Sequence, residues 1–399
     1  MPEIMESDIR FESDTVAVAE RVPRPDRKYV LLLLLGAASF AFILFCFELP
    51  ALLGVIDYRT IIGPYHMWWA PNVPDPELFA IHRPHARQMG TARGGDAASI
   101  YQIPQSDMTE FQWDVTYDQH GFRNPTDLES ADMVVIGDSF VEDLTVPYDE
   151  LLTSRLAKLQ GKTTANLGQA TYGPLQELVV LKRYALPLQP KLVIWLFSED
   201  SDVEDVISYH QTMRNKPTFW KAFWARSFTR SAAMLVRVLI HPPSKPSGRN
   251  YSGVFQTADG KSVNIYFEKH PPALNQERLK AIDESVATVA TAQKLLAAQG
   301  ARLIFVFVPM KYTVYRSFCH YPPESKAGTW GSNDLAERLR AGLASASPQT
   351  GFVDLTPAFL QAARAGEVAY YPDDLHWNPS GQKIAAETLN RYLSSDLTR

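Results

Sequence analysis

The sequence predicts an α/β fold in which helices cover both faces of a parallel sheet. Two uncharged apolar runs, Leu192–Phe197 and Leu303–Val308, are typical of strands that are buried on both faces. Segments with apolar residues at helical spacing lie between the predicted strands. This alternation of strand and helix begins near Asp114, and it is the pattern of a parallel sheet whose connections are helices.

The other elements follow in chain order. The predicted strands are Met133–Ile136, Thr164–Leu167, Leu192–Phe197, Leu303–Val308 and Phe352–Leu355. The predicted helices are Leu151–Leu159, Gln176–Ala185, Ala281–Ala298, Leu335–Ala346 and Pro379–Leu393. Asn378 is suited to cap the last helix, since Pro379 then takes its first position.

An insertion at 206–275 interrupts the alternation. Its segment Thr218–Ile240 carries large apolar residues on one side and three arginines mainly on the other, whereas Asp259-Gly260 is typical of a hairpin turn. The basic amphipathic segment has three interpretations: it lies on the bilayer, it forms a lid over the site, or it packs on the edge of the sheet.

Composition excludes several functional classes. The chain has 399 residues, is 46% hydrophobic and carries a net charge of −5. Because no basic cluster with interleaved aromatics is present, we expect no nucleic-acid partner. The two cysteines, Cys46 and Cys319, form no C-x-x-C motif, which argues against a thiolate metal site or a redox dithiol. We expect no cofactor and no metal.

The N-terminal region predicts a membrane anchor. Residues 1–28 have the composition of a disordered tail, and an anchor over 29–49 contains the uncharged run Tyr29–Phe47, which is long enough to cross a bilayer. A cleaved signal peptide is less consistent with the long polar lead and long apolar core. The basic residues before the run place the N-terminus in the cytoplasm and residues 114–399 outside, in the periplasm of a Gram-negative cell.

A stalk and lead-in is predicted over 50–113. This segment is rich in proline and aromatic residues. Trp68 and Trp69 fit either an interfacial belt or ordinary packing against the domain.

The first chemical signal is Ser139. Gly137-Asp138-Ser139 follows a predicted buried strand and precedes a helix, so the serine lies at the rim of the sheet, where ligands bind in open α/β folds. The triplet alone is equally consistent with a helix cap formed by Asp138 or Ser139.

The second signal is the segment Asp373-Asp374-Leu375-His376-Trp377. A serine hydroxyl needs a base, histidine is suited to that role near neutral pH, and a carboxylate must orient the imidazole. Asp373 lies three residues before His376, and we prefer it to Asp374, which is closer in sequence. The alternative is a solvated acidic pair beside a helix-capping histidine.

Together these motifs resemble the SGNH (GDSL-type) hydrolases, in particular their membrane-anchored bacterial members. Gly137-Asp138-Ser139-Phe140 resembles the first family block, Asn166-Leu167-Gly168 the second and Asp373-x-x-His376 the last. Further similarities lie at Thr116–Pro125, Pro309–Tyr312 and Trp377–Gly381. The resemblance implies a flavodoxin-like three-layer α/β/α fold, with Ser139, His376 and Asp373 as the catalytic triad and with the amides of Ser139 and Gly168 in an oxyanion hole.

The chain departs from the third family block, which carries an oxyanion-binding Asn. Here Ser201 occupies the Asn position, within an acidic run that spans Glu199 to Asp205. Loss of one oxyanion donor costs roughly 10²–10³ in rate, so the activity is weak, or the pocket is rebuilt, or Ser201 acts through water. The acidic run suggests either a cation site or, with more support, solvated carboxylates.

The resemblance implies a membrane-anchored serine esterase that acts on O-acylated carbohydrate of the cell envelope or of exported polysaccharide. One alternative is an O-acetyltransferase with the same triad, held beside a membrane partner for export or acyl transfer. The other is a non-catalytic glycan-binding or assembly protein that retains the fold.

Overall fold

A computed structural model describes residues 26–62, 72–215, 218–242 and 244–396. Its strands are β1 (Asn72–Asp75), β2 (Phe79–His82), β3 (Arg87–Arg93), β4 (Glu110–Thr116), β5 (Met133–Gly137), β6 (Thr164–Gly168), β7 (Leu192–Ser198), β8 (Ser252–Gln256), β9 (Ser262–Tyr266), β10 (Arg302–Val308), β11 (Cys319–His320) and β12 (Gly351–Asp354). Its α-helices are α1 (Arg27–Leu52), α2 (Arg59–Ile62), α3 (Asp96–Ile100), α4 (Ser139–Glu142), α5 (Leu152–Gln160), α6 (Pro174–Val180), α7 (Asp202–Arg214), α8 (Phe219–Arg226), α9 (Phe228–Ile240), α10 (Gln276–Ala298), α11 (Lys311–Tyr315), α12 (Leu335–Ala346), α13 (Thr356–Arg364) and α14 (Pro379–Asp396).

The central sheet has five parallel strands in the order β12-β10-β7-β5-β6. The strand order reverses beside β5, so a crevice forms at its carboxyl end, where Ser139 lies. This is the flavodoxin-like order, and it confirms the predicted fold class. The five strands predicted from the sequence are these five, with small shifts at their ends.

Alternate residues of the strands supply two apolar layers. On one face Ile136, Trp195 and Phe305 belong to a core cluster with residues of α6, α10 and α12. On the other face Val135 and Leu196 join residues of α5, α13 and α14. Because side chains alternate along a strand, an uninterrupted apolar run fills both layers, and the result is the predicted three-layer sandwich.

The lead-in is built mainly of short strands. β1 pairs with β2 and β3 pairs with β4, both antiparallel, and α3 lies between the two strands of the second pair. Trp68 and Trp69, and the tail before residue 26, lie outside the described residues.

α1 continues past the predicted anchor to Leu52, and it is long and apolar enough to cross a membrane. The insertion contains most of α7, then α8, α9 and the hairpin of β8 and β9, whose turn includes Asp259 and Gly260 as predicted. The amphipathic segment is divided at Ser227, whose side chain accepts a hydrogen bond from the amide of Arg230 and so starts a second helix. Both halves contact α1.

Candidate active site

Ser139 is held at the rim of the sheet by the turn that follows β5. Asp138 follows the strand directly and caps α4, accepting a hydrogen bond from the amide of Phe140 at 2.9 Å. Ser139 is the first residue of α4 and remains partly exposed. Asp138 is therefore the helix cap within the triplet. Because Asp138 takes that role, the hydroxyl of Ser139 can face the crevice.

A line of hydrogen bonds runs from Ser139 through His376 to Asp374. Nε2 of His376 lies 2.7 Å from Oγ of Ser139, and its Nδ1 lies 2.7 Å from Oδ1 of Asp374. Asp374 also accepts the backbone amide of His376 at 3.0 Å. A carboxylate on Nδ1 fixes the tautomer in which Nε2 can accept the serine proton.

The acid at His376 is thus Asp374 and not the predicted Asp373. The carboxylate of Asp373 points away and accepts the amides of Gly95 at 3.0 Å and Thr109 at 2.9 Å, as well as the Thr109 hydroxyl. The prediction of Asp373 is wrong because a tight turn lets an aspartate side chain reach the residue only two positions later.

The lead-in therefore completes the site. The amide of Asp96 donates to Oδ2 of Asp374 at 3.0 Å, so neighbouring lead-in residues hold both carboxylates. A Cβ atom on Gly95 would lie only 2.5 Å from Cβ of Asp374, so this close approach requires glycine. The sequence did not predict this clamp, because nothing in 50–113 marks a pairing with residues nearly 280 positions away.

Lys311 holds the same loop from the other side. Its buried ammonium group is 2.9 Å from a carboxylate oxygen of Glu268, and it donates to the carbonyl of Asp374 at 2.8 Å. Neither side chain is more than 3% exposed. This gives a structural reason for the Pro309–Tyr312 motif: it supplies the cation that fixes the turn before His376.

The electrostatic environment favours a charged imidazole. Burial lowers the pKa of His376, but the adjoining Asp374 carboxylate outweighs it and raises the pKa to about 10. A second acid, Asp96, lies 4.0 Å from Nδ1, and burial together with Asp374 raises the pKa of Asp96 to about 6. Asp96 was not among the residues predicted from the sequence.

Of the three predicted oxyanion donors, two are engaged elsewhere. The amide of Gly168 donates to Oδ1 of Asn166 at 2.9 Å, and the Ser201 hydroxyl donates to Oδ2 of Asp138 at 2.9 Å. The amide of Ser139 has no acceptor among the described residues. In this arrangement the amide of Gly168 is not available to bind an oxyanion. The hydroxyl of Ser201 becomes available only when its hydrogen bond to Asp138 breaks.

Glu142, three residues after the serine, anchors α4. Its buried carboxylate contacts Nε2 of His82 at 2.7 Å and accepts the amide of Ala170 at 2.6 Å and the Tyr117 hydroxyl at 3.2 Å. It thereby joins the serine helix to β2, to the end of β4 and to the loop after β6. Its acidic side chain on a predicted helix gave no sign of this role.

The Thr116–Pro125 motif supports the same region. The Asn124 side chain both donates to the carbonyl and accepts from the amide of Asn166, at 2.9 Å each, and so pairs with the free edge of β6. Arg123 donates to the carbonyls of Glu142 and Val146. These contacts fix α4 and β6 next to Ser139.

The acidic run is not the solvated loop that was expected. Glu199 accepts the amide of Met310, Asp200 accepts the Ser198 hydroxyl, and Asp202 accepts the Ser198 amide; all three are buried. Glu204 pairs with Arg278 at 2.6 Å. These carboxylates fix the turn between β7 and α7. Their hydrogen-bond and ion-pair partners are other groups of the protein.

Among the described residues, one group of side chains has the spacing to hold an ion: ligand atoms of Asp96, Asp374 and His376 lie within 4.8 Å of one another. The 2.7 Å separation of His376 and Asp374 is that of a hydrogen bond, which satisfies Nδ1 without an ion. The group is therefore better explained as part of the line of hydrogen bonds that links Ser139, His376 and Asp374.

Two clefts flank the acidic turn. One, of about 480 Å³, is lined by residues that include Ser201, Lys269, His270 and Arg278. The other, of about 240 Å³, is lined by Gln169, Thr171, Tyr172 and Tyr209 among others. Asp205 lines both. The polar groups and aromatic rings that line these clefts can bind a polyhydroxylated chain.

Comparisons with known proteins identify relatives of the C-terminal part of the chain. Residues 267–398 match the family model described as SGNH hydrolase-like domain, acetyltransferase AlgX. The probable alginate O-acetylase AlgJ of Pseudomonas fluorescens is 28% identical over 130 residues, which are 32% of this chain and 30% of that protein. The chain thus matches less than a third of that relative. The predicted family resemblance is confirmed for this C-terminal part.

Two solved structures that are similar to the chain have low sequence identity to it. An acetylxylan esterase of Geobacillus stearothermophilus is 12% identical, with 66% of this chain and 94% of that one covered and a TM-score of 0.36. A putative acylhydrolase of Bacteroides fragilis is 13% identical, with 66% and 87% covered and a TM-score of 0.34.

Proposed function

We propose that this chain is a membrane-anchored serine O-acyltransferase that acts on polysaccharide. It has the fold of the SGNH hydrolases, and its C-terminal part matches a model of that family. The observation that carries the proposal is the unbroken line of hydrogen bonds from Ser139 through His376 to Asp374. It is the arrangement needed to activate a hydroxyl nucleophile.

In the first half-reaction Oγ of Ser139 attacks the carbonyl carbon of an acyl ester, and Nε2 of His376 takes its proton. The bond to the donor alcohol breaks, and His376 returns the proton to that alcohol as it leaves. Ser139 now carries the acyl group as an ester. Asp374 holds Nδ1 throughout and stabilises the imidazolium that forms.

In the second half-reaction a sugar hydroxyl gives its proton to His376 and attacks the acyl-Ser139 carbonyl. The new sugar ester forms, and Ser139 regains its proton from His376. If water replaces the sugar, the same steps release a free acid, and the chain is an esterase. We favour transfer, because the family model and the relative from Pseudomonas are both described by acetyl transfer.

The amide of Ser139 supplies one oxyanion donor, and we propose that the Ser201 hydroxyl supplies another. To do so it turns from Oδ2 of Asp138 toward the substrate oxygen. The Asp138 carboxylate keeps the amide of Phe140 as a partner when the Ser201 hydroxyl turns away.

Labelling with a fluorophosphonate probe tests the nucleophile. We expect the full-length chain to be labelled at Ser139 and the Ser139→Ala variant to remain unlabelled. Label on another residue, or none on a folded wild-type chain, would favour the non-catalytic alternative.

Product analysis then separates transfer from hydrolysis. With p-nitrophenyl acetate as donor and an unacetylated glycan as acceptor, a transferase yields acetylated glycan, whereas an esterase yields acetate alone. Release of acetate from an acetylated glycan, with no transfer to an acceptor, would support the esterase.

A further inference from the structure

The helices α8 and α9 expose an unusual amount of apolar surface. The exposed fraction is 68% for Trp220, 53% for Trp224, 71% for Leu239 and 64% for Ile240. Few large apolar side chains elsewhere in the described part of the domain are exposed to this degree, apart from those of α1. An apolar surface of this kind is typical of an interaction site.

These helices pack against the end of α1. The rings of Phe47 and Phe228 stack with centroids 4.8 Å apart, and the carboxylate of Glu48 accepts the amides of Phe228 and Thr229 at 3.2 and 2.7 Å. The first turn of α9 is therefore capped by a residue of the anchor helix. The guanidinium group of Arg226 donates to carbonyls at the end of α1.

The position of this contact along α1 is informative. A hydrocarbon core about 30 Å thick takes roughly 20 helical residues. Counted from Tyr29, the first residue of the apolar run, such a span ends near Glu48. The contact therefore lies at the level of a bilayer surface, and α8 and α9 begin there.

The charge of the segment fits that position. Residues 218–240 contain Lys221, Arg226, Arg230 and Arg237 but no Asp or Glu. Tryptophan is enriched at membrane interfaces, and basic residues on an amphipathic helix attract anionic headgroups. The charge of the segment therefore suits the anionic surface of a membrane.

We propose that α8 and α9 lie in the surface of the lipid bilayer from which α1 emerges, with their exposed apolar side chains among the acyl chains and their basic residues near anionic headgroups. This placement does not depend on the proposed function. It decides among the three interpretations of the insertion in favour of the bilayer.

Fluorescent labels on the full-length chain test the proposal. Cys46 and Cys319 are first replaced by Ala, and single cysteines are introduced by Leu239→Cys or, as a matched control, by Leu159→Cys on α5. Leu159 is also exposed, at 49%, but α5 packs against α14 and β6. Each is labelled with an environment-sensitive dye and reconstituted in vesicles of phosphatidylcholine and phosphatidylglycerol that contain a nitroxide-labelled lipid.

We expect a blue-shifted emission at position 239 that the nitroxide lipid quenches severalfold more than the emission at position 159. Equal quenching at the two positions would overturn the proposal. A blue shift at 239 without quenching would also overturn it, since the helices would then be covered by protein, such as a second copy of the chain.

Charge-neutral variants test the role of the headgroups. With Lys221→Gln and Arg237→Gln combined, quenching at 239 should fall in vesicles that contain phosphatidylglycerol and stay the same in vesicles of phosphatidylcholine alone. An equal fall in the two kinds of vesicle would show that the variant disturbs the helices. Unchanged quenching in the two kinds of vesicle would contradict the role proposed for anionic headgroups. Thermal unfolding of each variant shows whether the domain is intact.

Discussion

Asp373 and Asp374 are neighbours in the chain with different partners. Asp374 contacts the imidazole of His376, whereas Asp373 contacts backbone amides of the lead-in. We expect Asp374→Asn to lower kcat for p-nitrophenyl acetate by about 10⁴, because an amide stabilises the wrong tautomer of the imidazole. Its unfolding temperature should change little by comparison.

Asp373→Asn is the matched control. It keeps one acceptor oxygen but removes a charge that accepts several hydrogen bonds, so it should lower the free energy of unfolding by about 1–3 kcal/mol. The rate of the folded fraction should fall far less than that of Asp374→Asn. The opposite pattern would return the catalytic role to Asp373.

His376 sets the pH dependence. It acts as a base only when neutral, and its pKa is raised to about 10 by Asp374. The value of kcat/KM should therefore rise with pH across the neutral range and level off only near that pKa. In Asp374→Asn the raised pKa is lost, so the remaining activity should level off at lower pH. A profile that is flat from about pH 6 to 10 in the wild type would contradict this account.

Ser201 tests the oxyanion proposal. Ser201→Ala should lower kcat by about 10²–10³ if the hydroxyl stabilises the oxyanion, with little effect on the unfolding temperature. Ser201→Asn restores the side chain of the family pattern and should recover activity. If Ser201→Ala retains the wild-type rate, Ser201 serves only as a partner of Asp138.

At the scale of elements, α4 and β6 touch without intervening side chains at Gly168. A Cβ atom there would lie 2.5 Å from the amide nitrogen of Glu142 and from Cβ of Val141. Gly168→Ala should push α4 and its serine away from His376. A displacement of about 1 Å can cost 10² in rate, so kcat should fall by about that factor.

Gly331→Ala provides the control for that substitution, because a Cβ atom at Gly331 meets nothing within 4 Å. Its activity should equal that of the wild type. A crystal structure of Gly168→Ala, through the distance between Ser139 and His376, would show whether α4 has moved. An unmoved helix with reduced activity would contradict the explanation.

The strands of the sheet could be predicted well from the sequence, because a strand buried on both faces must be apolar throughout, and a run such as Leu303–Val308 fits few other kinds of element. Ser139 and His376 could be predicted as well, since their motifs are local. The contact between Asp374 and His376 could not be predicted, because it depends on the conformation of the tight turn that joins them. The engagement of Gly168 and Ser201 depends on side-chain geometry that spacing alone does not specify, and Gly95 and Asp96 carried no local signal at all.

At the scale of the whole molecule, side-chain contacts join α1 to the domain. Glu48 caps α9 and Phe47 packs on Phe228. A truncated chain that begins at residue 57 loses both contacts and exposes the apolar surface of α8 and α9. We expect it to self-associate in solution, as measured by light scattering after size exclusion.

A second truncated chain, in which a Gly-Ser linker also replaces residues 218–240, should be monomeric and retain activity toward p-nitrophenyl acetate. If both truncated chains are monomeric, the surface of α8 and α9 is not the cause of association.

The helix α7 begins beside Ser201 and has 13 residues, so it spans about 20 Å, and α8 follows only four residues after its end. With α8 on the bilayer, the nucleophile stands within a few nanometres of the headgroups. Under the proposed function, Ser139 would then reach only the short part of a glycan that has just left the membrane. If the proposed transferase acts on a polysaccharide during its export, the spacing of acyl groups along that polymer would depend on the export rate relative to turnover at Ser139. Slower export would then give a more densely acylated product.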